Sequence, residues 1–235
     1  MTTTLITGAN KGLGQETARR LRHLGHTVWV AGRDPGRVRA AAERLDARPL
    51  VLDVTDDASV AAAAAVVEAG GGLDVLVNNA GIELRGDGNR IIGPAEATAD
   101  HMRDMFETNV FGLVRVTHAF LPLLSRSTAP VVVNVSSGLA SLTRLTAAGT
   151  PTFHYPGVAY PASKAAVNVV TVQFAKAFPG MRINAVEPGY TATDLNGNTG
   201  IQTVEQGAEI IVRMACVGPD GPTGAYVDAS GPLPW

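Results

Sequence analysis

Hydrophobic positions follow two alternating periods along this chain. Short runs rich in β-branched residues are each followed by a longer run in which apolar residues return every three or four positions. "TTLIT" is the first short run, and a glycine-rich turn ends it. "LGQETARRLRHLG" then has helical periodicity and a closing glycine. "HTVWVAG" predicts a second strand, "PGRVRAAAERLD" a helix, "RPLVLDV" a third strand and "DDASVAAAAAVVEAGG" a helix. "LDVLVNNAG" predicts a fourth strand, followed by a looser, glycine-containing segment over 82–97.

A long helical pattern runs from about Thr98 to Leu124, with Met102, Met105, Phe106, Val110, Leu113 and Val114 along one stripe. "APVVVNVSS" is a continuous apolar run, which suits a parallel strand buried on both faces. Residues 138–158 form an unusually long connection with two prolines. Such loops are functional or disordered. A helix to about Phe178 follows, then a sixth strand, "MRINAVEPG". Thr203 and Gln206 have the spacing of a capping box at the head of a further helix. "GAYVDASG" is a candidate last strand, and "PLPW" an irregular tail. This alternation predicts an α/β fold: one single-domain, doubly wound (Rossmann-like) parallel β-sheet with helices on both faces, spanning 1–235.

Composition adds limits. Hydrophobic residues make up 46% and charged residues 17% of 235 positions, a globular balance with ample material for a core. The net charge of -2 and the lack of a basic stripe argue against a nucleic-acid partner. The greasiest stretch, "VAAAAAVVEAG", is too short to span a bilayer, so no membrane association is expected. "MTTTLITGAN" has no basic region followed by an apolar run, so no secretory signal is expected either. Cys216 lies in the apolar stretch "IIVRMACV", which predicts a buried small hydrophobe. A single cysteine suits a reducing cytoplasm.

In an open α/β sheet, ligands sit beyond the carboxyl ends of the strands. The first strand ends in "TGANKGLG", with glycines at 8, 12 and 14. Glycines permit a tight turn and close backbone approach, and the next helix offers free N–H groups to a pyrophosphate. The alternative is a glycine-rich turn with no ligand. At the end of the second strand, Gly32 takes the place of the acidic residue that would bind a ribose hydroxyl, and Arg33 follows. Arg33, with Lys11, suits the 2′-phosphate of NADP; Asp34 could instead pair with Arg33 or bind the ribose. Asp53 and Val54 end the third strand and could flank an adenine. "NNAG" ends the fourth and Ser136–Ser137 the fifth. Tyr160 and Lys164 share one helix face four residues apart, where an ammonium would lower a phenol's pKa. Taken together, these features point to a nicotinamide site with an acid/base at one end.

The ordered set "TGANKGLG", "LDVTD", "NNAG", Asn109 in "ETNVFG", "NVSS", "YPASK" and "PGYTATD" resembles the short-chain dehydrogenase/reductase family over nearly the whole chain. "TVEQGAEIIVRMA" and "GPTGAYV" are similar to its carbonyl-reductase-like members. The resemblance implies NADPH-dependent reduction of a ketone or aldehyde, with NAD-dependent alcohol oxidation and a non-catalytic NADP sensor as alternatives. It implies that Tyr160 gives the proton, Ser137 holds the substrate oxygen, Lys164 binds the nicotinamide ribose and lowers the phenol pKa, and Asn109 anchors a water. It places the cofactor against Gly8, Asn10, Lys11, Gly12, Leu13, Gly14, Arg33, Asp53, Val54, Asn79, Ala80, Gly81, Tyr160, Lys164, Pro188, Gly189, Thr191 and Thr193. No metal is implied. The expected partners are a small carbonyl or alcohol substrate and further copies of the chain, as a dimer or tetramer, with a monomer as the alternative.

One departure stands out. Ser137 and Tyr160 lie farther apart than the family pattern, by an insertion of roughly ten residues beyond an ordinary loop. The insertion holds Tyr155, which lacks a lysine four residues on, and His154, read as a loop residue or part of the substrate mouth. Residues 191–202, rich in Gly, Asn and Thr, are expected to form a short substrate lid.

Overall fold

Leu5 and Ile6 are neighbours in the first strand and both are fully buried, yet each joins a different core. Side chains alternate between the faces of a strand, so a strand covered on both sides is apolar throughout. The computed structural model describes residues 2–235. Its strands are β1 (Thr3–Ile6), β2 (Thr27–Gly32), β3 (Arg48–Val51), β4 (Val75–Asn78), β5 (Arg85–Gly86), β6 (Arg90–Ile91), β7 (Val131–Val135), β8 (Arg182–Val186), β9 (Tyr226–Asp228) and β10 (Gly231–Pro232). Eight form one sheet in the order β10–β9–β8–β7–β4–β1–β2–β3, parallel except for the β9–β10 pair. β1 lies between β2 and β4, so the strand order reverses there and opens a crevice at the strand ends.

The helices are α1 (Gly12–His23), α2 (Pro35–Leu45), α3 (Asp57–Ala69), α4 (Ala99–Phe106), α5 (Gly112–Leu124), α6 (Leu142–Thr146), α7 (Ala159–Ala177) and α8 (Val204–Ala215). Leu5, Leu76 and Val132 share one core with Val60 of α3 and Phe120 of α5. Ile6, Val77 and Val133 share the other with Leu21 of α1, Ala41 of α2 and Ile211 of α8. Local chemistry starts these helices in place. Asp34 accepts the Arg37 N–H at the head of α2, and Asp56 accepts from Ala58 and Ser59 at the head of α3. Thr203 and Gln206 form both halves of the expected capping box on α8. Caps of this kind contribute about 1 kcal/mol each.

Several expectations need correction. The segment 82–97 contains the β5–β6 hairpin, which two-residue strands are too short to announce by periodicity. Residues 138–158 hold α6 and two single helical turns, at Gly138–Ala140 and Pro151–His154, each started by a Ser or Thr side chain. The long pattern from Thr98 is α4 and α5 joined by one wider π-type turn, Glu107–Phe111. The tail is not irregular throughout: Pro232 pairs with Val227, and Trp235 stacks on Tyr226 with ring centroids 5.4 Å apart. Cys216 is exposed, because it follows the last buried turn of α8; its Sγ lies 3.9 Å from His26 Nε2.

Candidate active site

The turn after β1 is shaped by backbone that only glycine accommodates well. Gly8 and Gly12 have φ of +63° and +54°. A Cβ on Gly14 would lie 2.5 Å from Asn79 Nδ2 and 2.7 Å from the Gly8 carbonyl. Lys11 gives the head of α1 no side-chain cap, so its first N–H groups face outward unclaimed by a cap. Asn79 does not face outward: its Nδ2 donates to the carbonyls of Thr7 (2.8 Å) and Gly8 (3.2 Å), locking the ends of β1 and β4 together. A Cβ on Gly32 would meet Asn10 Oδ1 at 3.0 Å, so the missing acidic side chain makes room for the glycine loop. Asp34 serves as the α2 cap and sits 3.6 Å from Arg37, which leaves Arg33 exposed beside it.

Asp53 folds back on Thr55, whose N–H and hydroxyl hold its carboxyl below the usual carboxylate range. Val54 is buried against Gly112. Leu13 lies near Gly207, and Gly12 near Thr193. Thr191 donates to the carbonyls of Pro188 and Gly189 and pairs across to Gln202. Residues 191–202 are thus pinned at both ends. Lys11 Nζ meets Asp194 at 2.9 Å, and Asn89 donates to Asn196 at 3.2 Å from the β5–β6 turn.

The polar residues at the ends of β4 and β7 and the head of α7 converge. Asn109 is 2% exposed within the wide turn. Its Oδ1 accepts the Ile82 N–H, and its Nδ2 donates to Ile82 O and Ser163 Oγ. A Cβ on Gly81 would lie 3.3 Å from Asn109 Oδ1 and 3.5 Å from Lys164 Nζ, so both side chains meet at Gly81, next to Ala80. Ser136 is buried and spent on Asn168 at 2.7 Å, while Ser137 stays partly open. The Ser137 side chain is within hydrogen-bonding reach of the Tyr160 phenol.

The expected lowering of the phenol pKa is not what the geometry gives. Lys164 Nζ donates to Val135 O at 2.8 Å and lies 5.7 Å from the Tyr160 ring centroid. Burial, with the carboxylates of Glu83 and Glu187 nearby, pushes the phenol up, against the pull of Ser137 and Arg85. Burial pulls Lys164 down to about 8. A phenol held protonated is an acid, the form that a developing alkoxide needs.

Most of the chain is similar to known proteins. The short chain dehydrogenase family model matches residues 2–203. The chain belongs to that family. Short-chain dehydrogenase anuI of Penicillium roqueforti is 37% identical, covering 91% of this chain and 88% of its own. The (+)-neomenthol dehydrogenase of Capsicum annuum is 32% identical, covering 94% of each. Among solved structures, an NADPH-bound carbonyl reductase from chicken fatty liver has a TM-score of 0.86 at 26% identity, covering 100% of this chain and 99% of its own. As a short-chain dehydrogenase, the protein is an NAD(P)-dependent oxidoreductase. No helix among the described residues is long and apolar enough to cross a membrane.

Two partly buried carboxyls beside the site carry no motif that names them. Glu187, raised by burial, accepts the Gly189 N–H at 2.9 Å. Glu83 accepts from Tyr155 and pairs with Arg85 at 2.7 Å. Apolar neighbours in "GIELRG" and "AVEPGY" were the available signal, since a carboxylate in such a setting needs partners. His154 is exposed and packs edge-on against Phe153, outside the cleft beside Tyr160.

Proposed function

We propose that the protein reduces a ketone or aldehyde to an alcohol with NADPH. The observation that carries this reading is the partly buried phenol of Tyr160, held protonated, beside the partly open Ser137 hydroxyl. Ser137 holds the carbonyl oxygen, and Tyr160 gives it a proton as negative charge grows there. Lys164, fixed to the end of β7 through Val135, presents its charge to the nicotinamide ribose. Asn109, fixed to Ile82, anchors a water near Lys164, with Gly81 leaving room between them.

The glycine turn fits a dinucleotide: it has no room for side chains at Gly14, and it opens onto an uncapped helix end. When bound, the cofactor supplies the hydride. Gly8, Asn10, Gly12, Leu13 and Gly14 would hold its pyrophosphate side, and Asp53 and Val54 its adenine. Asn79, Ala80, Gly81, Pro188, Gly189, Thr191 and Thr193 would border the remainder, Asn79 by shaping the turn. Arg33, with Lys11 turned from its ion pair with Asp194, would supply positive charge for a 2′-phosphate, and Asp34 is already engaged as a helix cap. The NADPH bound to the chicken carbonyl reductase supports the same choice.

We also infer a single domain, a cytoplasmic location, and a homo-oligomer that uses the exposed Phe111 and Val169 near α5 and α7. Residues 191–202 would act as a lid. Limited proteolysis with and without NADPH tests the lid, and equal cleavage would contradict it. Sedimentation tests the assembly, and the mass of one chain would contradict it. The activity itself is tested by following the absorbance of NADPH or NADH with a panel of ketones, aldehydes and quinones. Consumption of NADPH with at least one carbonyl is expected. Binding of NADPH without turnover of any of them would contradict the reductase reading.

A further inference from the structure

An open cleft lies beside Tyr160. Leu84, Ile91, Ile92, Ala97, Met105 and Val158 line it, with His101 among them, so the body of a ligand there meets mainly apolar side chains. Tyr155 enters the same wall from the 138–158 insertion. Its ring lies on Gly157, where a Cβ would come within 2.6 Å of Cε1 and 2.9 Å of the hydroxyl oxygen. Glycine at 157 is what makes room for the ring in this place.

The hydroxyl of Tyr155 donates to Glu83 Oε1. Glu83 is only 6% exposed, and its other oxygen takes both Nη2 (2.7 Å) and Nε (3.2 Å) of Arg85. A tyrosine hydroxyl has one proton to give and lone pairs to accept with. The proton is committed to the carboxyl group that Arg85 pairs with, and burial with that group pushes the Tyr155 pKa up. No described residue donates to the Tyr155 oxygen. Toward the cleft, then, Tyr155 is an acceptor only. Glu83 is held in place by its neighbour, because Ile82 before it makes two hydrogen bonds with Asn109.

Resting on the reductase reading above, we propose that Tyr155 selects the substrate: the cleft takes a ketone with an apolar body that also carries a hydroxyl group, and that hydroxyl donates to the Tyr155 oxygen. The two tyrosines then make complementary demands. Tyr160 offers a donor to the carbonyl, and Tyr155 requires a donor from the substrate. An ammonium group is a poorer match, because Arg85 already neutralises Glu83. An ether oxygen in place of the hydroxyl would face the Tyr155 oxygen with no proton between them, an unpaired contact that costs affinity.

The test compares cyclohexanones carrying a hydroxyl at each ring position with the matching methyl ethers, using NADPH. In the wild type, at least one hydroxy ketone should exceed its ether by about tenfold in kcat/KM. Tyr155→Phe should bring that ratio close to one. Glu83→Gln goes further: Arg85, a donor only, selects the amide oxygen and turns the amide NH2 toward Tyr155. The Tyr155 proton then faces the cleft, and the preference should move toward the ether. Equal turnover of hydroxy ketones and ethers by the wild type would overturn the proposal, as would a preference that survives both substitutions. Turnover without preference leaves the reductase reading standing, whereas failure of every ketone overturns both. Melting temperatures identify a variant that has lost its fold, and the other variant then decides.

Discussion

Lys164 turns its Nζ to the carbonyl of Val135, 2.8 Å away, and not to the phenol of Tyr160 one helical turn before it. The amine is thus fixed to the end of β7, the strand whose continuation carries Ser137. Its position is set by the sheet, and the phenol's protonation is set by burial and neighbouring carboxylates. Acid and cation therefore have separate supports, and substitutions should separate them.

Lys164 holds a buried charge at a cost to stability. Its folded pKa, about 8, lies below the ordinary lysine value of 10.5, so the unfolded chain binds this proton more tightly. The cost is full below a pH of about 8 and is relieved as the pH rises toward 10.5. Lys164→Met should therefore be more stable than the wild type near neutral pH, by about 1–3 kcal/mol, while losing activity. Its advantage should shrink with rising pH. Urea titrations near pH 7 and about pH 10 check this, and a destabilised Met variant at neutral pH would count against a strained lysine.

The same shift governs the rate. Tyr160 stays protonated across the working range, so the ionisation seen in reductive kcat/KM should be that of Lys164. Activity should hold below a pH of about 8 and decline above it. A pH–rate profile of the wild type is the check. A decline that sets in only near 10.5 would mean that burial does not shift this lysine.

Arg33→Ala should raise the KM for NADPH by about tenfold or more and leave that for NADH nearly unchanged, since a charge-assisted contact to a phosphate is worth roughly 1.5–3 kcal/mol. Parallel kinetics with both cofactors measure it. Equal changes would return the choice of cofactor to NAD.

Glu187 ties the turn after β7 to the turn after β8, through the N–H groups of Gly138 and Gly189. Glu187→Ala leaves both unpaired and should cost about 1–3 kcal/mol, with a weaker hold on the dinucleotide. Denaturant melts and a binding titration read the two effects. Unchanged stability would mean that water replaces the carboxylate at no cost.

The sequence made the sheet legible because its strands are buried on both faces and read as unbroken apolar runs, as in "VVVNV". The glycine turn was legible because left-handed backbone at Gly8 and Gly12 favours glycine. Two-residue strands such as β5 and β6 carry no period, so the hairpin that helps wall the cleft was not visible. The long-range contacts were equally hidden. Tyr155 and Glu83 are 72 positions apart, and nothing in either segment names the other. The phenol pKa is not legible for a related reason: the spacing of Tyr160 and Lys164 gives their common face, but not the carbonyl that claims the lysine.

The central claim is that Tyr160 is the proton donor in an NADPH-dependent carbonyl reduction. The most direct test measures turnover and NADPH affinity for Tyr160→Phe beside the wild type, using whichever carbonyl the panel finds best. Loss of kcat by about 10²–10⁴-fold with NADPH affinity retained is the predicted result. A variant that keeps most of its turnover would contradict the account and move the acid to another group.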